Sequence, residues 1–252
     1  MNMLQQVRRL LFPRVLCLSC DEPRQIDPGA ALCDRCLVEL ESLRIGDSVC
    51  PHCLSPRGRD GACAYCAGGG MRSLQASFAP YQYHGVVQRL IVTLKFQGVH
   101  QALDPLLPEL LRCLRGESFD MIVPVPLHKA RMRERGFNQA ALLAQQVQKV
   151  SGFPLADALI RVKKTKRQST LPHEQRAENL KDAMQVVLPV KGKSILLVDD
   201  VRTTGSTARA CADALLAAGA QGVSLLTIAI AHHSNASPME KSPSREESSS
   251  KT

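Results

Sequence analysis

The chain has no tryptophan, and all aromatics together make up only 4% of its 252 residues. Its core must therefore be aliphatic, which suits a parallel sheet of Val, Ile and Leu covered on both faces. The same scarcity argues against a surface built to stack many unpaired bases. No apolar run is long enough to cross a bilayer, which excludes an inserted helix. Residues 1–13 (MNMLQQVRRLLFP) lack the long apolar stretch and small-residue cleavage site of a secretory signal. These absences lead to the expectation of a cytoplasmic protein with no membrane insertion. Acidic residues are outnumbered by basic ones, 23 to 32, for a formal charge of +9. The excess gathers in two places: Lys129, Arg131, Arg133 and Arg135 around a single Glu134, and Arg161, Lys163, Lys164, Lys166 and Arg167. Such runs are ordinarily solvated faces, and both are compatible with a polyphosphate or nucleic acid partner.

What the chain has in plenty is cysteine. Of ten, eight form four Cys-x-x-Cys pairs: Cys17/Cys20, Cys33/Cys36, Cys50/Cys53 and Cys63/Cys66. Each such knuckle aims two sulfurs at one ion, and two knuckles complete a tetrahedral four-sulfur site. The filler is rich in turn residues (Pro23, Pro28, Gly29, Pro51, Pro56, Gly58, Gly61), as in short ribbons that cannot build a core unaided. Disulfides need an oxidising compartment that nothing here signals. A redox dithiol uses one such motif in a thioredoxin-like setting, and iron–sulfur clusters use other spacings. Two structural Zn²⁺ sites are expected, with no position open to water. Sequential pairing (17, 20, 33, 36 and 50, 53, 63, 66) is assumed, with a crossed brace as the alternative. Cys113 and Cys211 lie on apolar helical patterns and read as small buried residues.

Gly68, Gly69 and Gly70 mark a hinge. The expected layout is a double zinc-ribbon domain over 1–70, a larger domain over 71–232 and a disordered Ser/Pro/Lys/Glu-rich tail over 233–252. Strands are predicted over 74–83, 119–125, 183–188, 195–198 and 223–231. Helices are predicted over 85–96, 103–114, 136–150 and 206–218, the last closed by Gly219. Alternation of helices with near-continuous apolar strands predicts an α/β fold with a doubly wound, mainly parallel sheet, whose ligands gather at the strands' C-terminal edge.

The most informative segment spans 194–207. A buried strand ends in Asp199 and Asp200, then come Thr203, Thr204, Gly205, Ser206 and Thr207, then an alanine-rich helix. Carboxylates at a strand's end can grip sugar hydroxyls. The turn offers N–H and O–H groups to a phosphate at the helix's positive end. The whole set in this order suggests a site for a phosphorylated sugar. The segment resembles the phosphoribosyl-diphosphate signature of type I phosphoribosyltransferases. Arg202 departs from that pattern, where a small or apolar residue is usual, and the sequence leaves open whether it aids binding or points into solvent.

The same resemblance assigns a diphosphate loop to 124–139. There Gly136 would let the backbone approach the ligand, and Arg131, Arg133 and Arg135 would supply charge. It assigns 159–180 to a mobile loop carrying Arg161, Lys163, Lys164 and Lys166. Closure of that loop would protect an oxocarbenium-like sugar from water. The bland alternatives are a plain basic connection and a solvated loop, and His173 reads as polar filler.

Over residues 16–231 the chain is similar to the ComF/GntX group of bacterial competence and DNA-utilisation proteins. The likeness rests on the cysteine pairs, Leu94-Lys-Phe-x-Gly98, Val123-Pro-Val-Pro126, Arg135-Gly-Phe-Asn-Gln139, Gln168-x-x-Leu171 with Arg176 and Asn179, and Val198-Asp-Asp-Val201 with Thr203-Thr-Gly205. The resemblance implies a domain that binds 5-phosphoribosyl-1-diphosphate with Mg²⁺ and transfers the pentosyl group. Asp199 and Asp200 would be the catalytic pair on the ribose hydroxyls, and Thr203 to Thr207 would hold the 5′-phosphate. Arg135, Gly136, Arg161, Lys163 and Lys164 would take the diphosphate. No segment names the acceptor. The alternative is a non-catalytic factor that binds single-stranded DNA or scaffolds other competence proteins of an uptake machinery.

Overall fold

The computed structural model describes residues 15–24, 31–58, 60–162 and 183–231. Two cysteine-rich units come first. In one, β1 (Val15–Leu16) and β2 (Pro23–Arg24) form an antiparallel hairpin followed by helix α1 (Asp34–Ser42). The other contains the single-turn helix α2 (Ala64–Ala67). Then follow β3 (Ser77–Phe78), β4 (Tyr81–Gln82), α3 (Gly85–Val92), α4 (Leu107–Arg112), β5 (Met121–Pro124), α5 (Lys129–Arg135) and α6 (Gln139–Ser151). The last elements are β6 (Leu159–Arg161), β7 (Met184–Val186), β8 (Ser194–Arg202), α7 (Ser206–Ala217) and β9 (Gly222–Ile230).

The main sheet has the order β3-β9-β8-β5, with β4 also on β9, and every pairing is parallel. Successive side chains of a strand point to opposite faces. On β8, Leu196 and Val198 join a cluster with α3 and α6 residues such as Leu90, Ile91, Leu143 and Val147. Ile195 and Leu197 join another with Ala208, Cys211, Ala212 and Leu215 of α7. Both faces are thus covered, which is why β8 and β9 read as unbroken apolar runs. The doubly wound sheet is as expected. Each cluster also takes in one cysteine unit: Cys17, Cys33, Cys36 and Leu40 in the first, Cys50 and Cys53 in the second.

Several boundaries differ from expectation. The strand over 74–83 is two short strands, interrupted beside Pro80, which has no N–H to give to the ladder. The helix over 85–96 stops being α-helical at Val92 and continues as a π-helical turn, Thr93–Gln97, closed by Gly98 at φ +68°. The helix over 103–114 begins as a 3₁₀ turn (His100–Leu103) and becomes α-helical only at Leu107, with Pro108 in its first turn. The basic stretch before α6 holds a helix of its own, α5. The strand over 183–188 is β7, which pairs antiparallel with β6 in a separate hairpin. The strand expected to end at Val198 runs on through both carboxylates to Arg202. Gly219, at φ +92°, lies two residues beyond α7. The Gly68–Gly70 run is a hydrogen-bonded turn, with the Gly68 amide on the Ala64 carbonyl and the Gly70 amide on the Tyr65 carbonyl. Cys211 is fully buried and Cys113 partly so. Lys163, Lys164, Lys166, His173 and the tail over 233–252 lie outside the described residues. Among the described residues, no helix is long and apolar enough to cross a membrane.

Candidate functional site

At the C-terminal edge of the sheet, β8 carries Asp199 and Asp200 into one cleft of about 160 Å³. Asp199 is partly exposed, whereas Asp200 is only 5% exposed, and its Oδ2 lies 2.6 Å from Lys95 Nζ. The Asp200 amide donates to Asp199 Oδ1 at 2.9 Å. Burial, then the neighbouring Asp200 charge, raises Asp199 to about 7, and the Asp200 amide, Lys95 and Arg161 only partly offset this.

Four cations line the same cleft: Lys95, Arg131, Arg135 and Arg161. Helix α5 explains two of them. Arg131 and Arg135, four residues apart, share a helix face, while Arg133 between them is exposed and does not line the cleft. His128 caps this helix by accepting from the Ala130 amide at 3.1 Å. Gly136 ends it at φ +81°, a left-handed turn that a side chain would disfavour, and the space its Cβ would occupy is open. Arg135 donates to Gln139 Oε1 at 2.6 Å, which fixes its guanidinium across the mouth. Arg161 arrives from the β6 hairpin; burial, then the Arg131 charge, lowers its pKa. Lys95 went unassigned in the sequence reading, although it stands inside the Leu94-Lys-Phe-x-Gly98 motif. The π-helical turn changes the helix's register there, and such turns often mark functional positions.

The next turn is the one that the sequence offers to a phosphate. Gly205 takes φ +70° at the N-cap of the twelve-residue helix α7 and has no side chain to cap it, while the Ser206 amide donates to Thr204 Oγ1 at 3.5 Å. The helix's first amides face the loop with the dipole's positive end behind them. The Thr204 and Ser206 hydroxyls lie 2.9 Å apart and are buried, Thr207 lines the cleft, and Thr203 is exposed. Arg202 is 3% exposed; it is not among the residues lining the larger cleft, but it lines a small pocket of about 20 Å³ with Asp199, Thr203, Gly205, Ser206 and Thr207. It reaches into the second cysteine unit, donating to the Cys53 carbonyl and, at 3.2 Å, to Ser55 Oγ.

The eight paired cysteines form two groups, 17/20/33/36 and 50/53/63/66, with the four sulfurs of each group within 4.8 Å of one another. Sulfur separations include 3.9 Å for Cys20–Cys33, 3.8 Å for Cys50–Cys66 and 3.3 Å for Cys53–Cys63. A tetrahedral zinc with bonds of about 2.3 Å needs edges of about 3.8 Å, so both groups fit it. The pairing is sequential, not a crossed brace. Burial raises the Cys36 thiol to about 12. At Cys17 burial also raises the thiol, but amide donors from Cys33, Ser19 and Cys20 outweigh it and bring the thiol down to about 6.

A larger cavity of about 610 Å³ adjoins the cleft and shares Lys95, Arg131 and Arg135 with it. Tyr83, Phe96 and Phe137 line it, three of the chain's few aromatics. Phe96 is 74% exposed, with the Arg135 guanidinium 5.5 Å from its ring centroid.

Comparison with known proteins identifies the family. The family model described as a phosphoribosyl transferase domain matches residues 115–249. The DNA utilization protein YhgH of Salmonella typhi is 34% identical over 196 residues, which cover 75% of this chain and 86% of that protein. The competence protein ComFC of Bacillus subtilis is 28% identical over 234 residues, 85% of this chain and 95% of that one. Among solved structures, a purine phosphoribosyltransferase from Pyrococcus horikoshii covers 51% of this chain and 72% of its own, at 18% identity and a TM-score of 0.34. The chain belongs to the phosphoribosyl transferase domain family, within its ComF/GntX group.

Proposed function

We propose that the cleft binds 5-phosphoribosyl-1-diphosphate with Mg²⁺ and transfers the pentosyl group to an acceptor. The observation that carries this reading is the convergence of two carboxylates and four cations on one cleft, beside the N-terminus of α7. Asp199 and Asp200 would hold the ribose hydroxyls, and the amides and hydroxyls of Thr203 to Thr207 the 5′-phosphate. As the sugar takes Asp200, Lys95 is released beside the diphosphate and joins Arg131, Arg135 and Arg161 in neutralising it. Lys163 and Lys164 would add charge from the loop that follows β6. Asp199 and Asp200 are the acidic side chains lining the cleft and would receive Mg²⁺ through its waters and the ribose oxygens. The ion offsets charge on the leaving diphosphate. The C1–oxygen bond breaks with its electron pair leaving on diphosphate, and the acceptor's lone pair closes on C1. The chain contributes positioning and charge stabilisation. Each cysteine group would hold one structural Zn²⁺.

The names of its relatives, DNA utilization protein and competence protein, support a role in the uptake or nutritional use of DNA. Isothermal titration with phosphoribosyl diphosphate and Mg²⁺ tests the site: heat in the wild type and none in the Asp199→Ala/Asp200→Ala variant is expected. Equal heats in both, or none in either, reject it.

The exposed Phe96 under Arg135 favours a second reading, in which single-stranded DNA, alone or with other competence proteins, is the partner. A mobility shift with a single-stranded oligonucleotide would then weaken steeply with salt and weaken again in Phe96→Ala.

A further inference from the structure

We propose that Tyr65 and Arg202 are positioning residues which make the metal-loaded second cysteine cluster a support of the phosphate loop. The inference rests on the reading of Thr203 to Thr207 as the 5′-phosphate turn. Tyr65 stands between two ligands of that cluster, Cys63 and Cys66. Its hydroxyl donates to the Thr204 carbonyl at 3.4 Å, and a Cβ on Gly205 would collide with it. Its ring is tied at the other end, because any side chain on Gly70 would strike it. Arg209, one turn into α7, donates to the same Thr204 carbonyl at 3.0 Å and to the Gly70 carbonyl at 3.4 Å. The Thr204 carbonyl is thus held by Arg209 and by Tyr65, the residue between Cys63 and Cys66.

Arg202 closes the link from the strand side. It sits at the base of the loop, and its guanidinium lies 4.6 Å from the centroid of the Tyr65 ring while bonding the Cys53 carbonyl. No carboxylate is within ion-pair reach of it among the described residues, and its Nε is buried without a hydrogen-bond partner. A buried cation with no counter-ion is costly. Four thiolates around one Zn²⁺ leave the cluster with net negative charge, and its sulfurs accept N–H bonds. The loaded cluster therefore supplies the charge that Arg202 otherwise lacks. Losing the ion loosens the knuckle to which both residues are anchored.

The test compares full-length wild type, Tyr65→Phe, Arg202→Met and Arg89→Met, the last cutting a contact of the first cluster only. Zinc content, hydrogen exchange of the 203–207 amides and affinity for phosphoribosyl diphosphate with Mg²⁺ are measured on each. Tyr65→Phe keeps the ring and loses one neutral hydrogen bond, so exchange should quicken and affinity fall about threefold to tenfold. Arg202→Met should do so by about tenfold to a hundredfold. Stripping zinc from the wild type with a chelator should remove amide protection at 203–207, and readdition should restore it. Arg89→Met should match the wild type. If the zinc-free protein keeps its protection at 203–207, or if Tyr65→Phe and Arg202→Met both match the wild type, the proposal fails. Should the wild type not bind phosphoribosyl diphosphate at all, the ligand reading fails and amide exchange alone decides the coupling.

Discussion

The two cysteine clusters share ligands, motif and fitted geometry, yet the chain uses them differently. The first leans on α3. Arg89 reaches back from that helix to Ser19 Oγ at 2.8 Å and to Glu39 Oε2 at 2.6 Å, and the other Glu39 oxygen accepts from the Val86 amide at 3.0 Å. These contacts fasten one helix to another and touch no cleft residue. The second cluster leans on the 203–207 turn, through Tyr65 on Thr204 and Arg202 on Cys53. Two four-cysteine groups of like geometry thus pack against different things, one against a helix and the other against the 203–207 turn.

Breaking one ligand in each cluster should expose that asymmetry most strongly. Cys53→Ser is expected to lower bound zinc by one per chain and weaken phosphoribosyl diphosphate binding by about a hundredfold, since an uncompensated Arg202 and a loosened Thr204 follow. Cys36→Ser should also lose one zinc, but with less than about a tenfold change in affinity and a larger share of its effect in melting temperature. Zinc analysis beside titration calorimetry checks both. Equal losses of affinity would erase the distinction.

Next in size is the pH response of the cleft. Asp199 sits at about 7 in the folded chain, well above a free carboxylate. A raised folded pKa means its contribution to stability is fully present below the unfolded value, about 4, and is lost as pH rises through about 7. Ligand binding that needs the ionised carboxylate goes the other way. Affinity should rise about tenfold between pH 6 and pH 8, and Asp199→Asn should flatten that profile. The same variant should be more thermally stable than the wild type at pH 8 but not at pH 4, as scanning calorimetry would read.

Much of this arrangement is legible from local pattern. The apolar runs of β8 and β9 declare a sheet buried on both faces, and the acidic pair, the glycine and the hydroxyls announce the loop. Cys-x-x-Cys knuckles read directly because both ligands of a pair lie within four residues. What local pattern misses falls into two kinds. Helix α5 has five charges in seven residues and no apolar stripe, so periodicity is silent where His128 and Gly136 do the capping. Lys95 enters the cleft through a π-helical turn that an ordinary helical spacing cannot express. Tyr65 and Arg202 act across 139 and 149 residues of chain. Arg202 in particular looked like a solvent or phosphate contact, because the partner that buries it lies in a different cysteine-rich segment.

The smallest expected effect completes the comparison from the first cluster's side. Arg89 is about as exposed as a surface side chain, and its pair with Glu39 lies in water's reach. Exposed ion pairs contribute about 0–1 kcal/mol, and the hydrogen bond to Ser19 adds about 1 kcal/mol. Glu39 keeps its second task after Arg89→Met, accepting from the Val86 amide at the start of α3. The variant should therefore melt about 2–6 °C lower, with affinity for phosphoribosyl diphosphate unchanged. A drop in affinity matching that of Arg202→Met would mean that α3 transmits to the cleft through Lys95, four residues after its Ile91, and that both clusters, not one, support the site.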